Sequence, residues 1–284
     1  MDCVGTLLRC QAFLKGESVP APVIVAPDFF ALMVGTLLSS QDVSSALVMK
    51  EGKVQGAMYG YQVIKFIMEG GSDSLYQRLY TQMPMDSEVI PLAQIPTATG
   101  LDQCETVLAK VAERRFGDVL VISTDNDPIG VVSLRLMVRL LSLKGKCKMK
   151  LKELASPVRL ITGNETVSAT LNFMMSYRIR RVVFKRNSTF YCCTEREFLR
   201  GMFSMDGLDM MRNNPKVLLD QKVESFAMDR AAKIPVLDGN RKVEEAWELC
   251  AQVPTATAIV NGDMIATPWD MVIKPFIERK LEFA

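Results

Sequence analysis

Histidine is absent from all 284 residues. That removes the most common general base, the usual metal ligand and the partner that Ser-His and Cys-His nucleophiles require. The seven cysteines (Cys3, Cys10, Cys104, Cys147, Cys192, Cys193, Cys250) are an odd number without C-x-x-C spacing. They are therefore expected to be reduced structural thiols, not a disulfide framework or a zinc site. There is no phosphate-binding glycine loop of the form G-x-x-x-x-G-K-[ST], and no paired carboxylates stand out from the charged helix faces, so the chain is read as not an enzyme. Runs of five or six like charges are also missing, and 34 Lys and Arg against 32 Asp and Glu leave no nucleic-acid footprint. The longest apolar stretch, Val23 to Leu38, is broken by Pro27 and Asp28 and falls short of the roughly eighteen residues that span a bilayer. The start Met1-Asp2-Cys3-Val4-Gly5 lacks the basic and apolar regions of a secretory signal, which places the expectation in the cytoplasm.

What is present is a folding composition, 49% hydrophobic and 23% charged, at a length that suits about two domains. Internal repetition is the dominant signal. Four similar segments begin with short apolar or Pro-containing strands: Ala21 to Val25, Ile95 to Ala98, Pro157 to Ile161 and Ile234 to Leu237. Each is followed by a stripe of helical period, as in Val243, Ala246, Trp247, Cys250 and Ala251 of the fourth repeat. The same stripe is read in Phe29, Leu32, Met33, in Cys104, Val107, Leu108, Val111, and in Val167, Leu171, Met174. Core packing is the plain reading of these stripes.

Two strands joined by a tight turn come next, with turns expected at Glu51-Gly52, Asp125 to Pro128, Asn187-Ser188 and Asn261-Gly262. A second amphipathic helix closes the unit, for example at Phe198, Leu199, Met202 and Phe203. The fold class is thus α/β (α+β), four β-α-β-β-α repeats in two pseudo-symmetric pairs. One repeat is too small to cover both faces of its sheet, so pairing is the economical way to bury the rest. The expected pairs are 1-146 (repeats about 1-72 and 85-146) and 147-284 (repeats about 147-205 and 220-284). Lys144 to Lys150 is the expected linker between them, and Met205 to Lys222 an expected surface connector.

With that pattern in place, the chain resembles the CBS domain family. The resemblance is strongest from Glu165 to Ala169, from Tyr177 to Val183 and from Thr194 to Phe198, and again at Lys242 to Ala246 and Thr267-Pro268-Trp269-Asp270. The four-repeat layout is similar to that of the gamma subunits of the AMP-activated kinases. The resemblance implies a regulatory module that binds an adenosine-containing ligand (AMP, ADP, ATP or an S-adenosylmethionine-like molecule) and requires no cofactor. It also implies that the hydroxyl and carboxylate of T-x-x-D at the closing helix hold ribose and phosphate. Carried over residue by residue, the ligand-binding set is Thr267, Asp270, Thr194, Glu197, Ile234, Pro235, Arg180 and Ser133.

Alternatives stay open at these positions. T-x-x-D is also a capping box, with Pro268 where a first-turn proline is favoured. Arg178, Arg180 and Arg181 fit phosphate neutralisation and an exposed strand face alike, and Trp247 and Trp269 fit the core or a cleft wall. The first pair departs from the pattern, with Tyr59 and Gln62 in repeat one and Leu136 after Ser133 in repeat two, so ligand is expected in the second pair. The competing function is an adaptor with degenerate sites that recruits a regulated protein partner. The two pairs are expected to pack within one chain or through a homodimer.

Overall fold

The computed structural model describes residues 22–283 apart from 42, 116, 124 and 126. The expected strand residue Ala21, the turn residue Asn126, the thiols Cys3 and Cys10 and the start Met1 to Gly5 lie outside the described residues. Among the described residues no helix is long and apolar enough to cross a membrane.

All four repeats form the expected β-α-β-β-α order. In the first, Val23–Val25 runs parallel to Ser45–Lys50, which is antiparallel to Lys53–Tyr59, with helix Ala31–Ser40 as the crossover and Gly60–Met68 closing the repeat. The second repeats this with Thr97–Ala98, Asp118–Ile122 and Pro128–Ser133 around helices Cys104–Arg114 and Leu134–Lys144. The third uses Leu160–Ile161, Arg181–Arg186 and Thr189–Thr194 with helices Val167–Tyr177 and Glu195–Met202. The fourth uses Val236–Leu237, Ala258–Val260 and Met264–Ala266 with Val243–Cys250 and Pro268–Ile277. A parallel pair needs a crossover of a dozen or more residues, and the first helix of each repeat supplies it.

Three hairpins carry left-handed residues at both turn positions, Glu51 and Gly52, Asn187 and Ser188, Asn261 and Gly262, the backbone of a type I′ turn. The sequence stripes hold where a helix has one apolar face: Cys104, Val107, Leu108, Val111, Val167, Leu171, Met174, Val243, Ala246, Trp247 and Cys250 are all buried, while Ala251 caps its helix and is half-buried. In the first repeat the stripe is displaced. The helix starts at Ala31 and buries Ala31, Val34, Gly35 and Leu38, leaving Met33 41% exposed. That helix is apolar almost all round, so periodicity could not select its buried face.

Two compact bodies result, each with its own core. One contains Val23–Leu92 and Arg159–Ala231, built around Phe29, Leu38, Phe184 and Phe198. The other contains Ala93–Val158 and the chain from Ala232 onward, built around Val107, Leu141, Trp247 and Met271. Helix packing therefore joins the first quarter of the chain to the third, and the second to the fourth. The expected pairs 1-146 and 147-284 rest on burial of the surface each repeat leaves uncovered; the compact bodies instead each draw on both of those segments.

Both connectors are more ordered than their composition implied. Within Lys144 to Lys150, Gly145–Cys147 is a strand antiparallel to Leu281–Phe283, and Cys147 is buried. A Cβ at Gly145 would lie 2.7 Å from the Trp247 ring, so glycine is what lets this strand close on the core. Met205 to Lys222 forms helices Met205–Asn213 and Pro215–Asp220, which bury Met211 and Leu218 completely. Its Gly and Asn residues serve as helix positions and caps: Ser204 accepts from the Gly207 N–H at 3.1 Å and Asn214 from the Val217 N–H at 3.4 Å.

Candidate functional site

Each repeat passes from its third strand directly into its closing helix, and the junction residue is extended: Tyr59 (φ −106°), Ser133 (φ −87°), Thr194 (φ −113°) and Thr267 (φ −104°). The third helical residues are Gln62, Leu136, Glu197 and Asp270. An extended residue before a helix leaves its own N–H and those of the first turn without intrahelical acceptors. In three repeats the third helical side chain supplies one. Tyr59 N–H donates to Gln62 Oε1 at 2.7 Å, Thr194 N–H to Glu197 Oε2 at 2.7 Å, and Thr267 N–H to Asp270 Oδ2 at 2.8 Å. In the second repeat Ser133 makes no side-chain cap, and Leu136 has no acceptor to offer.

The fourth repeat carries a densely bonded carboxylate. Asp270 is 4% exposed. Its Oδ2 accepts from Thr267 N–H and from Thr267 Oγ1–H at 2.7 Å. Its Oδ1 accepts from Ser156 Oγ–H at 3.2 Å and lies 2.7 Å from the Lys274 ammonium. Lys274 also donates to Ser156 Oγ at 3.1 Å and to the Leu154 carbonyl. Strand Ser156–Pro157, antiparallel to Met264–Ala266 with Ser156 opposite Ile265, carries Ser156 to the helix start. The sequence reading missed both new members. Lys274 had a local signal, since it lies one turn beyond Asp270 on the same helix face; Ser156, 114 residues away, had none.

In the third repeat Glu197 is equally buried, and Thr194 Oγ1 donates to its Oε2 at 2.6 Å. Arg180 is engaged within the chain. Its Nε donates to Glu195 Oε1 at 2.9 Å, a second guanidinium nitrogen bonds the same oxygen, and the guanidinium lies 4.9 Å from the centre of the Tyr59 ring. Glu195, buried in the first turn, was not singled out from the sequence. Arg178 is the left-handed cap at the end of helix Val167–Tyr177, a role set by its backbone.

Ile234 is a buried strand residue, and the Pro235 carbonyl accepts from the Ile259 N–H at 2.9 Å. Neither is a hydrogen-bond partner of Asp270. Trp247 is fully buried with its indole N–H donating to the Met271 carbonyl at 3.0 Å, a core tryptophan. Burial pushes the Cys193 thiol well above its ordinary range and Cys250 up to about 12. Cys104 is fully buried at the start of helix Cys104–Arg114. A polar cleft of about 480 Å³ lined by Met68, Asp73, Ser168, Asn172, Lys216 and Asp220, among others, includes none of the expected ligand-binding residues.

No family model and no curated protein sequence matches the chain. Solved structures do. A protein of Methanocaldococcus jannaschii, proposed as an archaeal homolog of the AMP-activated kinase gamma subunit, superposes with a TM-score of 0.73 at 15% identity, covering 92% of this chain and 97% of that one. A conserved protein from Pyrococcus horikoshii gives 0.51 at 15% identity over 90% of this chain and 95% of its own. A CBS domain protein of Pyrobaculum aerophilum, solved with AMP, aligns at 17% identity with 41% of this chain and 82% of its own, at a TM-score of 0.33. The likeness at these identities is one of fold, and the chain has the four-repeat CBS architecture.

Proposed function

We propose that this chain is a non-catalytic regulatory module that binds an adenosine-containing ligand at the closing helix of the fourth repeat. Buried Asp270, one helical turn into that helix and preceded by Thr267, is the observation that carries the reading. A carboxylate can accept both hydrogen bonds of a ribose diol, and a helix amino terminus offers N–H groups and a positive dipole end to phosphate. The fold shared with the Methanocaldococcus jannaschii protein, itself proposed as a gamma-subunit homolog, supports a sensing role. In this reading the pairs 1-146 and 147-284 are the ligand-binding groupings. The first pair is degenerate because Gln62 and Leu136 replace the carboxylate, and AMP, ADP, ATP and S-adenosylmethionine are the candidate ligands.

Asp270→Ala tests it. Losing a charge-assisted hydrogen bond costs roughly 1.5–3 kcal/mol, so calorimetric titration with AMP should show binding about tenfold to a hundredfold weaker, with Gln62→Ala unchanged. If Asp270 serves only as a cap, affinity stays and stability drops by about 1 kcal/mol. One observation favours a second reading, an adaptor with structural repeats that recruits a protein partner: the Asp270 and Glu197 carboxylates are already engaged within the chain. Absence of any thermal shift with all four ligands at millimolar concentration would favour the adaptor.

A further inference from the structure

We propose that Lys274 is a tethered competitor that occupies the ribose-accepting edge of Asp270 and has to be displaced when ligand binds. The inference rests on the ligand reading above. A carboxylate offers about four acceptor positions, and at Asp270 all four are filled. Thr267 N–H and Oγ1–H take Oδ2, while Ser156 Oγ–H and the Lys274 ammonium take Oδ1. The Oδ2 bonds close the helix start, so releasing them would undo the cap. The Oδ1 bonds have no such role.

Lys274 is the member built to leave. Its three ammonium N–H groups match three oxygens, those of Asp270, Ser156 and the Leu154 carbonyl, so it is fully seated. Yet its side chain keeps 34% of its surface in solvent, against 6% for Asp270, and a four-carbon stem lets the charge swing outward. A neutral diol that takes Oδ1 expels a cation into water, and the cost of breaking that ion pair is subtracted from the affinity. Lys274 therefore sets the threshold of the site and gives it a salt dependence that a diol alone would lack.

Adenosine, which has no phosphate to recruit the freed lysine, is the probe. Calorimetric titration of the full chain should show Lys274→Met, which keeps the stem and removes the charge, binding adenosine about tenfold tighter than wild type. Asp270→Asn should bind weakly. Unchanged or weaker adenosine binding by Lys274→Met overturns the inference. Wild-type affinity in Asp270→Asn overturns the ligand reading instead, and absence of binding by all three proteins overturns both. Lys274→Met leaves Asp270 buried without its counter-charge and can fail to fold, so a measurement on wild type stands beside it. Reductive methylation followed by peptide mass spectrometry should label Lys274 several times faster with saturating adenosine than without. Labelling that stays the same or slows overturns the proposal, and a purely structural tie to the Leu154 carbonyl predicts no acceleration.

Discussion

Leu136 and Asp270 hold the same place in their closing helices, yet only the second can accept a hydrogen bond, and that one difference separates a helix start closed by its own side chain from one that is not. Elsewhere a carboxylate is buried for another purpose. Glu88 is 2% exposed, its Oε1 receives Lys65 at 3.3 Å, and its Oε2 has no hydrogen-bond partner. Burial raises its pKa above the ordinary carboxylate range even though Lys65 pulls the other way. A carboxyl whose folded pKa is raised binds its proton more tightly in the native state. Its stabilising effect is complete below the unfolded pKa and is lost as pH rises through the folded one. Thermal melts of wild type and Glu88→Gln should therefore show wild type losing stability relative to the variant as pH rises through and just above the usual glutamate range. A constant difference across that window would count against it. At the same scale, the four buried thiols Cys147, Cys192, Cys193 and Cys250 should resist alkylation at pH 8 until the protein is denatured, as read by intact mass.

The elements are held apart or together by single positions. Helix Ala31–Ser40 of the first repeat approaches the end of the third repeat's closing helix at Gly35, where an added Cβ would lie 2.0 Å from the Phe203 ring. Gly35→Ala should cost roughly 1–3 kcal/mol through overpacking, measured by urea denaturation. Gly100→Ala, where nothing lies within 4 Å, is the control and should be neutral or slightly stabilising. A variant at Gly35 as stable as wild type would mean that Phe203 moves aside freely. The hairpins show how closely element geometry follows local chemistry: Asn187, Asn261 and Gly262 are residues that accept a left-handed backbone, and the turns fall where those residues stand. Glu51 and Ser188 adopt it with no such preference, carried by the strands on either side.

At the scale of the molecule, each compact body draws one stretch from either half of the chain. Helix Leu134–Lys144 packs against Val243–Cys250 and Pro268–Ile277, and helix Glu195–Met202 against Ala31–Ser40 and Gly60–Met68. A fragment ending at residue 146 would leave both sets of apolar faces uncovered, with Met137, Leu140 and Leu141 among those deprived of partners. Expressed alone, 1–146 should aggregate or melt without cooperativity, while coexpression with 147–284 should restore a soluble complex. A monomeric fragment with a sharp thermal transition would overturn this. Ligand should act on the whole: at a hundred times its dissociation constant it adds about 2.7 kcal/mol to the full chain.

Local chemistry written along the chain was enough for the four repeats, for three of the hairpin turns and for the capping boxes at Thr194 and Thr267. Periodicity, turn residues and T-x-x-D all act over a few residues, so a linear reading can see them. Three features lay beyond it because each depends on groups far apart in sequence. Ser156 reaches Asp270 only through strand pairing across 114 residues. Arg180 fitted phosphate or an exposed strand face equally well, and its pairing with buried Glu195 and the Tyr59 ring arises only on folding. Which repeats pack together was decided by the fit of helix faces, and apolar stripes of similar composition carry no address for their partners. What each repeat is follows from neighbours along the chain, whereas which charges meet and which faces are covered follows from packing, because burial and pairing energies exist only once distant segments share a core.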